Sequence, residues 1–323
     1  MNLDRMTLAR ARLALREAER DYLFDPNITL IDFGIPKHEG QLAEGELAIR
    51  FHVRKKFSDF ALETSHSTRC IQPMIGGFPT DVLEGTYHPH RFTGWFTGLT
   101  RPTSSPVSRA ELLCGGLSIS NEIYTFATLG GLVIDRTTNA EMILSNWHVL
   151  VGRWGVRQGA RIYQPGRRDG GSEKDVIATL TRDAMTANLD AAVAMLNGRR
   201  KMLNEQLHLG PVTGVGQAQL GMKVVKSGRR TGVTYGHVTA IEGIARMFYD
   251  RVERIIRHVV TIEPSQAHAD VSAGGDSGSW WLNAETRQAI GLHFAGSDSP
   301  ERALAHDMQT VLEALNIDIA INR

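Results

Sequence analysis

Cysteine is nearly absent from this sequence: 323 residues contain two, Cys70 and Cys114. That excludes a disulfide-rich secreted scaffold, offers no metal-ligand pattern and fits a reducing compartment, with a single Cys70–Cys114 bridge the one pairing left open. An excess of either charge is also missing. Lys and Arg total 36 against 35 Asp and Glu, a net charge of +1, so no single-sign field exists to draw in nucleic acid or an anionic membrane. The basic pairs and triplets, Lys55-Lys56 and Arg199-Arg200-Lys201, read as solvated surface. No stretch approaches the roughly 20 apolar residues that span a bilayer. Met1 to Tyr22 lacks the apolar centre of a secretory signal, because Asp4, Arg5, Arg10, Arg12, Arg16, Glu17 and Glu19 interrupt it. These absences together lead to the expectation of a cytoplasmic protein with neither nucleic-acid nor membrane partners.

What is present divides the chain in two. Over residues 1–105 an α+β domain is expected. Met6 and Leu13, and likewise Leu8 and Leu15, stand one heptad apart among charges and predict an amphipathic helix. Strand patterns follow at Thr29–Phe33, Glu46–Arg54 and Thr80–Glu84, and Arg101–Pro106 reads as a linker. From 106 to 323 short apolar runs alternate with Gly-rich turns: Phe126–Leu129, Gly131–Ile134, Met142–Leu144, Val176–Ala178, Lys223–Val225, Val233–Tyr235, Arg257–Val260 and Ile290–Leu292. Many short strands predict a mainly β fold, a barrel or sandwich large enough for two small barrels. Met308 to Leu315 predicts a terminal helix.

Three segments carry reactive side chains. His148 ends the apolar run Leu144-Ser145-Asn146-Trp147, Asp190 opens the run Ala191-Ala192-Val193-Ala194, and Ser277 sits in Ala273-Gly274-Gly275-Asp276-Ser277-Gly278-Ser279. A Ser hydroxyl is a weak nucleophile until a base takes its proton, which His can do near neutral pH while a buried Asp fixes its tautomer. The neighbouring glycines permit the backbone turn that aims N–H groups at a developing oxyanion. A lone Gly-Asp-Ser-Gly is often a plain turn, and either His148 or Asp190 alone reads as structural. The three in order carry more than any one of them.

These segments resemble those of the trypsin-like serine proteases: Gly275-Asp276-Ser277-Gly278 their nucleophile turn, Asn146-Trp147-His148-Val149-Leu150 their strand-end His, and Asp190-Ala191-Ala192-Val193 their Asp segment. The order His, Asp, Ser and the spacings of 42 (148 to 190) and 87 (190 to 277) suit that family. The resemblance covers roughly residues 107–323. It implies a chymotrypsin-like double β-barrel and a serine endopeptidase, with His148, Asp190 and Ser277 as triad and the N–H groups of Gly275 and Ser277 as oxyanion hole. A finer likeness is to the plant narrow-leaf-type proteases and their bacterial relatives, through Asp135-Arg136-Thr137-Thr138, Lys226–Gly232 and the sequence Gly-Asp-Ser-Gly-Ser at 275–279. That likeness implies a homo-oligomer and is compatible with a regulatory partner acting through the N-terminal domain. The expected substrate is a protein or peptide. An inactive protease-fold binding module, and an esterase using the same triad, stay open as alternatives.

Some features depart from the family. Ser279 stands where a second glycine is usual. No Arg or Lys directly precedes Gly115-Gly116-Leu117-Ser118-Ile119, so no zymogen cleavage is expected and Asp276 must find a partner other than a freed N-terminal amine. An ungapped count places Val271 where trypsin carries its specificity Asp. Gly291-Leu292-His293-Phe294-Ala295-Gly296 resembles the Gly-Ile-His-x-Gly-Gly strand of glutamyl endopeptidases, which implies a pocket for Glu or Gln built on His293, Phe294, Ala295 and Gly296; small, apolar or basic side chains stay open. His208, His237, His258, His268 and His306 lack a His-Glu-x-x-His spacing, so no metal and no cofactor is expected and each reads as structural. Arg229 and Arg230, flanked by glycine, read as solvated turn residues. Of Trp280 and Trp281, one is expected in the core and the other at a surface or interface.

Overall fold

The computed structural model describes the chain except residues 2, 59–67, 90–105, 124–125, 267–268, 299–300 and 322–323. Helix α1 (Arg5–Tyr22) is followed by strands β1 (Ile28–Gly34), β2 (Ala48–Val53), β3 (Phe78–Glu84) and the short β4 (His88–Pro89). Next come β5 (Gly131–Asp135), β6 (Glu141–Ser145), the one-turn helix α2 (Trp147–Leu150), β7 (Arg161–Tyr163), β8 (Val176–Asp183) and β9 (Ala192–Leu196). The chain continues through β10 (Lys223–Gly228), β11 (Gly232–Tyr249), β12 (Val252–Pro264), β13 (Trp280–Asn283), β14 (Gln288–Asp298), β15 (Glu301–Asp307), α3 (Met308–Ala314) and β16 (Ile317–Ile319). The fold is mainly β, as the short apolar runs predict.

Period-two alternation sorts the first set of strands between two cores. The order is β7-β8-β9-β6-β5-β16, antiparallel throughout. Leu132, Ile134, Ile143, Ala192, Ala194, Ala178, Leu180 and Ile162 face one apolar cluster. Their neighbours Val133, Met142, Leu144 and Val193 face the other way, onto Val225, Trp280, Leu282, Leu292 and the α3 residues Met308, Val311 and Leu312. A strand buried on both faces is apolar at both parities, which is why these runs read as continuous. Trp280 enters this second cluster because Gly131 leaves it room: a Cβ there would lie 2.4 Å from Trp280 Cη2.

The second set closes on itself. Strands pair in the order β10-β13-β14-β15-β12-β11, and β11 pairs back with β10, every step antiparallel. Closure removes the exposed edges of a six-stranded sheet. Val224, Val238, Val260, Ile262, Val271, Trp281, Ile290, Ala303 and Ala305 fill the interior. Both tryptophans of the Trp280-Trp281 pair are fully buried, one between the two units and one inside the ring.

The N-terminal segment is continuous with this ring. The first half of β11 belongs to the ring, and its second half pairs with β1, Leu30 opposite Ala245 and Phe33 opposite Ile241. β2 then adds to β1, and β3 to β2 in parallel. The expected boundary at 105/106, and Arg101–Ser105 of the expected linker, lie outside the described residues. Helix α1 forms as predicted, and of the two heptad pairs it turns Leu8 and Leu15 inward. Met6 is 73% and Leu13 60% exposed, while Ala11, Ala14, Leu15, Ala18 and Tyr22 are buried against β1 and β2. Small residues win because the helix packs close to the turn before β3, where Gly76 has φ +57° and a Cβ would lie 2.5 Å from that of Ala14.

Beneath this layer lies a buried polar cluster. Arg50 donates twice to Asp32, at 2.7 and 2.9 Å, and the Thr261 hydroxyl donates to the same carboxylate at 2.7 Å. His52 lies between Asp32 (3.3 Å) and the Tyr87 hydroxyl (2.6 Å). Arg302 of β15 bonds Glu263, Tyr87 and the carbonyl of Glu84. No helix among the described residues is long and apolar enough to cross a membrane. Cys70 and Cys114 are both free. Arg200, expected in solvent, is buried and donates to the carbonyls of Ala110 and Asp175 and to Gln164.

Candidate active site

The β6–β9 ladder brings the first two residues together. Ser145 lies opposite Ala192, so the turn after β6 and the residues just before β9 share one end of the sheet. Asn146 caps that turn, and its side-chain amide donates to the Asp190 carbonyl at 2.8 Å. Asp190 then receives two bonds from one residue: the His148 backbone N–H donates to Oδ1 at 2.9 Å, and His148 Nδ1 lies 2.5 Å from Oδ2. With the Nδ1 proton directed at the carboxylate, Nε2 is left with its lone pair. Burial works against ionisation of Asp190, but His148 outweighs it and the carboxyl is held below its ordinary range.

Ser277 comes from the second unit, on a turn bracketed by Gly275 at φ +115° and Gly278 at φ +95°. Both values are open to glycine and strained for other residues. A Cβ on Gly278 would lie 2.1 Å from Ser145 Oγ and 2.3 Å from the Thr128 carbonyl. The Ser277 turn therefore packs directly on the end of β6. The Thr128 N–H donates to the Ser277 carbonyl and its hydroxyl to the Gly275 carbonyl, each at 2.9 Å. Gly278 N–H donates to the His293 carbonyl, and His293 N–H to that of Ser279. Ser277 is 0% and His148 3% exposed, and neither Ser277 Oγ nor His148 Nε2 has a hydrogen-bond partner among the described residues.

Asp276 finds its counter-charge inside the chain. Lys226 Nζ of β10, itself fully buried, lies 3.0 Å from Oδ2. The Thr231 hydroxyl and the N–H groups of Arg230, Thr231 and Ala273 complete the cage. Burial would raise this carboxyl; the ammonium and the Thr231 hydroxyl hold it well below the carboxylate range instead. Burial lowers Lys226 in turn, against the pull of Asp276. The signal for Lys226 was legible in principle, as a lysine within an apolar strand, but not its partner.

The expected pocket residues scatter more. His293 is fully buried, edge-on to Trp281 at 6.2 Å. Phe294 turns the opposite way and stacks on His306 at 4.1 Å and 16°. Ala295 and Gly296 continue β14. The Val271 side chain packs inside the ring with Trp281 and Ile290, and its N–H donates to Glu301. Arg229 is not solvated. It stacks on Phe126 at 4.0 Å and pairs with Asp169. Two further neighbours complete the surroundings: Tyr249, which the sequence did not single out, and His306, expected to be structural. Tyr249, at the tip of the β11–β12 hairpin, roofs His148 at 6.4 Å and Trp147 at 6.0 Å. His306 Nε2 accepts the Asp190 N–H.

No family model matches the chain, and no curated protein matches it. Among solved structures it is similar to Thermobifida fusca Protease A, at 16% identity and a TM-score of 0.47 over 65% of this chain and all of that one. A chymotrypsin from Cellulomonas bogoriensis aligns at 18% identity and 0.48, again over 65% of this chain and all of that one. A glutamic-acid-specific serine protease, described as using a histidine triad in substrate binding, aligns at 19% identity and 0.47 over 64% of this chain and all of that one.

The arrangement has the parts of acyl transfer: a serine on a glycine turn, an imidazole with one nitrogen committed to a carboxylate, and backbone N–H groups beside the serine. Among the described residues no group of three or more His, Cys, Asp or Glu is placed to hold a metal ion.

Proposed function

We propose that this protein is a serine endopeptidase of the trypsin-like type. The observation that carries the reading is the doubly bonded His148–Asp190 pair, with His148 Nε2 and Ser277 Oγ both buried and otherwise uncommitted. Ser277 Oγ attacks the peptide carbonyl while His148 Nε2 takes its proton. The N–H groups of Gly275 and Ser277 receive the oxyanion, His148 returns the proton to the leaving amine, and water then hydrolyses the acyl-enzyme. The substrate is a protein or peptide. Kinship to the narrow-leaf-type proteases and a cytoplasmic setting are parts of the same reading, supported by sequence motifs and composition. Preference for Glu or Gln before the cut bond is supported by His293, a buried imidazole on the strand that bonds the nucleophile turn. A fluorophosphonate should label Ser277 and leave Ser277→Ala unlabelled. Equal labelling of both would sink the assignment. A positional-scanning library on wild type and His293→Leu tests the pocket: an unchanged profile would reject it.

A further inference from the structure

β14 leaves the nucleophile turn at His293 and runs away from it toward Asp298. One edge of its next residues is taken by β15, Ala295 opposite Leu304 and Gly296 opposite Ala303. On the other edge β13 stops pairing at Leu292. Beyond that point the outer edge of β14 would be a row of open N–H and C=O groups next to Ser277, a template for an added extended strand.

That edge is occupied by the chain itself. β4 pairs there antiparallel, Pro89 opposite Ala295 and His88 opposite Gly296. Because β14 runs away from the nucleophile turn, an antiparallel partner advances toward it from His88 to Pro89. At about 3.3 Å per residue, Ala295 is only two residues, or roughly 7 Å, beyond His293. An extended peptide approaching Ser277 along this edge would therefore take the same place in the same direction.

The occupant is held by an anchor and not by its own pairing. Tyr87, immediately before β4, is 4% exposed in the same apolar cluster as Phe294, Trp147 and Tyr249. Its hydroxyl contacts His52 and Arg302, and Arg302 also binds the Glu84 carbonyl. β4 itself is two residues long, His88 is exposed, and Pro89 has no N–H to donate. A short strand tethered beside its site acts at a high effective concentration, yet is displaceable.

Resting on the protease reading above, under which an extended peptide lies along this edge, we propose that this chain's own His88–Pro89 occupies the place of that peptide at Ala295–Gly296 and keeps the enzyme closed until displaced. His88→Pro, which removes that residue's N–H, and Tyr87→Phe, which removes the anchoring hydroxyl, test it with two readouts, fluorophosphonate labelling of Ser277 and cleavage of an internally quenched peptide mixture. Expected is a roughly tenfold rise in peptide cleavage per labelled site, the weight of one or two backbone hydrogen bonds. Labelled variants that cleave at the wild-type rate overturn the proposal alone; failure of wild type and variants to label or cleave removes the protease reading and this proposal with it. Hydrogen exchange on the unsubstituted chain reads the contact without a variant. Modification of Ser277 with a peptidyl phosphonate, which needs the edge, should speed exchange around His88, and the small fluorophosphonate should not. Equal exchange with the two reagents overturns the proposal.

Discussion

The backbone N–H of Asp190 donates to Nε2 of His306 across 2.9 Å, in the fully buried interior. His306 belongs to β15 and stacks on Phe294, so the second unit holds in place a residue that the first unit aims at His148. Burial pushes the His306 imidazole down to about 4, which keeps it neutral and able to accept. His306→Leu should orphan the Asp190 N–H, at about 1–3 kcal/mol, and lower kcat roughly tenfold to a hundredfold with little change in KM. His306→Gln, which offers an acceptor oxygen, should recover part of the loss. Steady-state kinetics of the two variants checks this; equal losses in both would reduce His306 to packing.

Acid sensitivity follows from the same burial. His306 and His52 are each lowered to about 4 by burial, against about 6.5 in an unfolded chain. Between those values the unfolded state binds more protons, so stability is full above about pH 6.5 and lost as pH falls toward 4. Each histidine accounts for about 3 kcal/mol at most. Urea melts at pH 7.5, 6 and 5 should show a falling midpoint, flattened in the His52→Gln, His306→Gln double variant.

Lys226→Met leaves the Asp276 carboxylate buried and uncompensated. Loss of one partner of such a pair costs about 3–5 kcal/mol, and here the carboxylate also gathers the N–H groups of Arg230, Thr231 and Ala273 around the nucleophile turn. Urea denaturation should show the loss, and fluorophosphonate labelling should fall with it. Adding Asp276→Asn should restore part of the stability, because the uncompensated charge is gone.

For the proposed triad, Ser277→Ala and His148→Ala should each reduce turnover to the level left by binding and oxyanion contacts, and Asp190→Asn should lose about 10⁴ in kcat through the wrong imidazole tautomer. Cleavage of a quenched peptide by freshly purified variants measures all three. Wild-type turnover by Ser277→Ala would end the protease reading.

Much of this was legible in the chain because it is local. Alternation and Gly-rich turns set strands at Gly131–Asp135, Glu141–Ser145 and Lys223–Gly228, and apolar spacing set helices at both ends. The segments around His148, Asp190 and Ser277 stood out by residue type and order, and the glycines at 275 and 278 meet the positive φ that the Ser277 turn requires. Partner choice was not local. Lys226 meets Asp276 across 50 residues and Asp190 meets His306 across 116, pairings that exist only once β10, β13, β14 and β15 are in register in one closed ring. The same holds for which of its two apolar pairs α1 buries: Leu8 and Leu15 turn inward with Ala14, which approaches Gly76 closely, while Met6 and Leu13 stay exposed. It holds too for β4, whose place beside Ala295 depends on a buried anchor from Tyr87 to Arg302. Periodicity records which side of an element is apolar. Only packing decides what that side meets, because a buried charge or N–H takes the partner that the fold brings within 3 Å or so.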